Sequence, residues 1–120
     1  MEPEKMPYVF LCHGAANVGQ LSNDAARELF NAGRLRIACV AAVGAHDQDF
    51  IAPFRSGRRI FCVDGCPKRC ASRTLGEERV PIVASMVVTD LGIRKNHDLH
   101  LRQRDIDLVR AGIEDLITKE

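Results

Sequence analysis

The sequence predicts an α/β domain built on a mostly parallel, four-stranded sheet. Three observations carry that prediction. Largely apolar runs of strand length recur along the chain, at Tyr8–Leu11, Leu35–Val43, Ile60–Val63 and Val80–Val88. They do not alternate strictly with polar residues, which is the pattern of strands covered on both faces. Between the first two runs and after the last, the apolar spacing changes to the repeat of a helix packed on one side. Strands alternating with helices join in parallel through right-handed crossovers.

In chain order, Met1 to Pro7 reads as a short mobile lead-in. Tyr8–Leu11 is the first buried strand and stops at Cys12-His13-Gly14. Val18, Leu21, Ala25, Leu29 and Ala32 then fall on one stripe, with Asp24, Arg27, Glu28 and Asn31 opposite. Asn17 suits the cap before that helix and Gly33 the left-handed residue after it. Leu35–Val43 is the second strand, closed by Gly44. Ala45–Gly57 is a short helix or irregular crossover interrupted by Pro53. The third strand, Ile60–Val63, turns at Asp64-Gly65 into a helix with Pro67 at its first position, where proline loses no hydrogen bond. Val80–Val88 is the fourth strand and Asp90–His100 a polar loop. Ile106, Val109, Ile113, Leu116 and Ile117 mark a final amphipathic helix.

The expected architecture is a small three-layer, Rossmann-like domain with strand order 2-1-3-4. Ligands of such sheets bind beyond the carboxyl ends of the strands, where the order reverses. With 120 residues, the chain suits a single domain spanning 1–120. A chain of that size buries roughly two thirds of its unfolded surface. A net charge of +1 argues against nucleic acid and against a charged membrane surface as partners. The basic clusters at 55–59 and 68–73 lack interleaved aromatics and read as solvated faces. No apolar run approaches the roughly 20 residues of a membrane span. Five cysteines, an odd count, and an N-terminus unlike a signal peptide favour a reducing compartment, and the expected location is the cytoplasm.

Clustered thiols in that compartment point to metal or redox chemistry. Cys66 and Cys70 have C-x3-C spacing at a strand–turn–helix junction. The expected helix puts Cys66 at its mouth and Cys70 one turn later on the same face, where the helix dipole favours thiolates. Cys12 ends the first strand before a glycine-rich turn. Cys39 lies inside the second strand, short of its end, where a free cysteine also serves as a small hydrophobe. Cys62 lies within the third strand and packs in the core. Asp64 reads as a turn or cap residue for the following helix, or as a carboxylate that orients a ligand. His13, His97 and His100 read as solvated. The order 2-1-3-4 carries Cys12, Cys39, Cys66 and Cys70 toward one sheet edge.

Two catalytic patterns fail on their residues. Gly14 and Gly19 have phosphate-loop spacing, but Gln20 and Leu21 stand where the lysine and the hydroxyl belong, so nucleotide hydrolysis is not expected. Cys12 precedes a helix as a phosphatase cysteine does, yet Val18 occupies the place of the phosphate-binding arginine.

Cys12 with the GAANVGQLSNDAA stretch after it, Cys39 in CVAAVG, VDGCPKRCA at 63–71 and TDLGIRK at 89–95 together resemble the DGC-domain family. The family takes its name from an Asp-Gly-Cys triplet, here Asp64-Gly65-Cys66. The resemblance covers nearly the whole chain. It implies a zinc-binding protein whose characteristic cysteines are Cys12, Cys39, Cys66 and Cys70, with Cys62 an extra. Ala16 stands where the family often has serine. The expected cofactor is therefore Zn2+, held by four thiolates, in metal handling or in an accessory module. A thiol redox protein and an iron–sulfur protein using the same cysteines are the alternatives.

Overall fold

The computed structural model describes residues 6–119; the lead-in expected at Met1–Pro7 falls mainly outside them. Strand β1, Tyr8–Leu11, lies at the centre of the sheet. It pairs in parallel with β2 (Arg36–Ala38) on one side and with β3 (Ile60–Asp64) on the other. Strand β4 (Ala84–Val87) adds in parallel beyond β3, giving the order 2-1-3-4 that the sequence predicts. Val9, Phe10, Leu11 and Ile60–Val63 are fully buried, as strands covered on both faces must be.

The two covering layers differ. On one face α1 (Asn17–Asn31) and α5 (Gln103–Leu116) pack on each other and on Val9, Leu11, Phe61 and Val63. Leu21, Ala25 and Leu29 from α1 meet Val109 and Ile113 from α5 there, matching the predicted stripes. On the other face lie α2 (Val40–Gly44), α3 (Gln48–Ile51), a 3-10 turn at Ala52–Arg55 and α4 (Cys70–Glu77). Phe10, Ile60 and Cys62 point to this side against Val43, Ile51, Phe54 and Leu75. Phe54 is the hub, with Tyr8, Phe10 and Phe50 each 5.2 Å away, ring centre to ring centre. Glu78 ties this layer together by accepting from His46, Gln48 and Arg55, and these partners, His46 foremost, hold its carboxyl below the usual range.

Several boundaries differ from the expected ones. The second strand ends at Ala38, and Val40–Gly44 is a helix. A run of alanine and valine is compatible with either state, and apolar continuity alone does not separate a buried strand from a short buried helix. The fourth strand is only Ala84–Val87, because Val80–Val83 is an approach to the sheet and Val88–Leu91 coils into a 3-10 turn. The undecided 45–57 segment is two short helical pieces, with Pro53 in the first turn of the second. Ala16, not Asn17, caps α1, while Gly33 takes the left-handed conformation at φ 76° as expected.

Candidate thiol site at the carboxyl edge of the sheet

The connection leaving β1 runs into α1 on one face, and the one leaving β3 runs into α4 on the other. The crevice between these divergent exits is where sheets of this topology take ligands. Cys12 follows β1 directly, and its N–H donates to Val63 O at 2.9 Å, so the first residue past β1 stays zipped to β3. Its Sγ accepts from Gly14 N–H at 3.4 Å. The loop is fastened from behind: the Ser22 hydroxyl is 2.7 Å from both Cys12 O and Gly19 O, and Gln20 Nε2 donates to Gly14 O at 2.9 Å. Gly19 has to be glycine here. A Cβ on it would stand 2.6 Å from Gly14 O.

Each residue of the Asp64-Gly65-Cys66 triplet has its own physical task. Asp64 is buried, and its carboxylate accepts the Ser72 N–H at 3.1 Å and the Ser72 hydroxyl. It thereby caps α4 from eight residues upstream, work that the local cap residue, Arg69, does not do. Gly65 lies so close to the first turn of α1 that a Cβ would be 3.1 Å from Gly19 N and from Val18 Cγ2. Cys66 is half-buried, and Lys95 Nζ lies 3.7 Å from its Sγ. Asn17 brings Lys95 there. Its side chain donates to Arg94 O at 2.9 Å and accepts from Asn96 N–H at 2.7 Å, and its own N–H donates to Asn96 O at 3.0 Å.

The helix after β3 begins at Cys70, not at Pro67, which corrects the expected placement of Cys66 at a helix mouth. Gly65–Lys68 forms a turn, and Arg69 adopts the left-handed conformation at φ 53° before the helix starts. Arg69 is held in place by donating to Ser85 Oγ at 2.7 Å and by an ionic contact with Asp64 at 3.8 Å. Cys66 and Cys70 therefore do not share one helical face. Cys39 is also corrected: it is not inside β2 but follows it directly, exposed, as the cap of α2. Cys70 is exposed at the first position of α4.

Four of the five cysteines thus stand at or beyond the carboxyl ends of three adjacent strands. The fifth, Cys62, is fully buried, as the sequence predicts. Burial pushes its thiol up to about 12, with the nearby Asp64 charge adding to the rise and the Ser72 hydrogen bond opposing it. As the side chains stand, no three Cys, His, Asp or Glu residues among those described are grouped to hold a metal ion. The donor chemistry suits a thiophilic cation; the present spacing does not. His13, His97 and His100 are exposed and join no such group, although His100 lies against Asp98.

Sequence reasoning did not identify Ser22, Ser72, Asn17 or Lys95 as part of this edge. Asn17, Ser22 and Lys95 lie inside the stretches that carry the family resemblance, but nothing in those stretches says that Asn17 reaches 79 residues along the chain to Asn96 or that Lys95 meets Cys66. No helix among the described residues is long and apolar enough to cross a membrane.

Comparison with known proteins places the chain in a family. The anaerobic and virulence modulator AnvM of Pseudomonas aeruginosa is 30% identical over 115 residues, which cover 96% of this chain and 88% of that protein. No solved structure matches the chain. A family model described as the DGC domain matches residues 8–113, from the first residue of β1 into the last helix. The triplet that caps α4, packs on α1 and presents Cys66 is the motif in that family's name, and the chain belongs to the DGC-domain family.

Proposed function

We propose that this protein binds zinc through Cys12, Cys39, Cys66 and Cys70 and works in metal handling or as an accessory module. One observation carries the reading. The four cysteines outside the core gather at the carboxyl ends of three neighbouring parallel strands, and the one inside the core is inert by burial. Thiolates are the ligands zinc prefers. Lys95 lies 3.7 Å from Cys66 Sγ and the Gly14 N–H donates to Cys12 Sγ at 3.4 Å, so a cation and a donor stand beside two of these sulfurs. Because the sulfurs are not grouped as they stand, capture requires the cysteine side chains and the turns that carry them to rearrange. Such a site exchanges its metal. The name of AnvM, a modulator, accords with an accessory role more than with turnover.

Elemental analysis of protein made with zinc and iron present tests the reading. About one zinc per chain and a colourless protein are expected. Cys66→Ser and Cys70→Ser should each remove most of the metal, whereas Cys62→Ser should not. A brown protein absorbing in the visible would favour an iron–sulfur centre and sink the zinc reading. The contacts to Cys12 and Cys66 also favour a second reading, thiol redox chemistry. Thiol titration with and without a chelator separates the two: thiols unmasked by the chelator indicate metal, and thiols unmasked only by a reductant indicate disulfide.

A further inference from the structure

A second site lies away from the thiols. The loop after β4 and the first turn of α5 enclose, with the start of α1, an open cavity of about 560 Å³. That is within the usual range for small-molecule pockets. Leu21, Leu91, Ile93, Leu101 and Leu108 supply its apolar lining, and Leu108 leaves 43% of its surface exposed on the first half of α5. Arg94 and Arg102 supply cationic groups; neither has a carboxylate within 4 Å among the described residues, although Arg102 is near enough to Asp98 to help, after His100, to hold that carboxyl below the usual range. The acids of the lining are already engaged. Asp98 accepts from the N–H and the ring of His100, both at 3.0 Å, and Asp105 lies 3.9 Å from Arg104. Arg102 is also the cap residue of α5, a helix start that no side chain caps.

We infer that this cavity binds a small amphipathic anion, with its charged group on Arg94 and Arg102 and its apolar body on the leucines. Guanidinium groups favour carboxylate, sulfonate and phosphate alike, so the class is set by charge and an apolar tail, not by one headgroup. The leucines favour an anion with an apolar body over a bare inorganic one, and the arginines favour an anion over a neutral lipid. The site is independent of the zinc reading.

Calorimetric titration of octanoate into the full chain, with octanol and acetate alongside, is the test. Octanoate should saturate one site, with acetate and octanol each at least about tenfold weaker. Arg94→Ala combined with Arg102→Ala should weaken octanoate by about tenfold or more. Arg34→Ala, at an arginine paired with Glu114 near the far end of α5, removes an exposed charge elsewhere and should leave binding unchanged. Both sets of changes are at exposed positions, and circular dichroism verifies that the variants are folded. Absence of saturation, octanol binding as well as octanoate, or an unaltered double variant would each overturn the inference.

Discussion

Asp64 carries more of this structure than its single position suggests. A carboxylate withdrawn from water must be repaid by hydrogen bonds, and it finds them in the first turn of α4. Asp64→Ala should therefore lower unfolding stability by about 2 kcal/mol, read as a shift in the urea midpoint. A shift no larger than that of an exposed control such as Asp49→Ala would contradict the capping role. Cys62 gives a second residue-scale prediction, with its sign fixed by burial. The folded thiol is pushed from 9.0 to about 12, so between those values the unfolded chain releases a proton that the folded chain keeps. The stabilisation is complete below 9.0 and is lost as pH rises toward 12. The loss should approach roughly 1.4 kcal/mol per pH unit, and Cys62→Ala should flatten it. An identical alkaline slope in the variant would show that other groups cause it. By the same reasoning, Cys62 should not react with an aromatic disulfide reagent in the native protein and should react after denaturation.

At the scale of elements, the site depends on how closely two loops approach α1. Gly14 rests on Gly19, and Gly65 rests on Gly19 and Val18, so one helical turn supports both the Cys12 and the Cys66 segments. Gly19→Ala pushes a Cβ into backbone atoms that have nowhere to go. It should destabilise the fold by about 1–3 kcal/mol, and zinc uptake should fall more than in Gly76→Ala, where an added Cβ meets nothing. Equal metal content in the two variants would detach the glycine packing from the site. Asn17 is the other joint at this scale. Its three hydrogen bonds hold the 94–96 segment, which carries Lys95 to Cys66 and lines the cavity with Arg94 and Asn96. Asn17→Ala should speed hydrogen exchange in residues 94–96 while leaving β1 and β3 protected. Protection unchanged in that segment would mean the clasp is dispensable.

For the molecule as a whole, two cores share one sheet, and neither is built from the proposed ligands. The α1–α5 side and the α2–α4 side are filled by aliphatic and aromatic residues, and of the cysteines only Cys62 belongs to a buried cluster, with Cys66 packing at its neighbour's margin. A structural zinc usually serves a chain too small to hold itself together, and here the apolar layers do that work. Stripping metal with a chelator should therefore leave the far-ultraviolet circular dichroism spectrum nearly unchanged while raising the number of reactive thiols. Loss of the helical signal would make the metal part of the fold instead.

The sequence by itself determined the fold class, the strand order and the core. Those follow from apolar periodicity along short stretches, and from connection rules that leave few ways to join such strands. Asp64 as a cap and Gly33 as a helix stop were legible because each acts on chain within about two turns, and Cys62 as a core residue because it stands inside a short apolar strand run. The tertiary structure alone decided where strands yield to helices in the Leu35–Val43 and Val80–Val88 runs, because an apolar run suits either state until packing chooses. It also decided that Cys39 caps a helix and that Cys66 lies in a turn held by an arginine in an unfavourable backbone conformation. Ser22, Asn17, Ser72 and Lys95 belong to the site only because packing α1, α4 and the loop after β4 around β1 and β3 places them there. Contacts between residues far apart in sequence leave no periodic trace along the chain, and the support of this thiol edge is made largely of them.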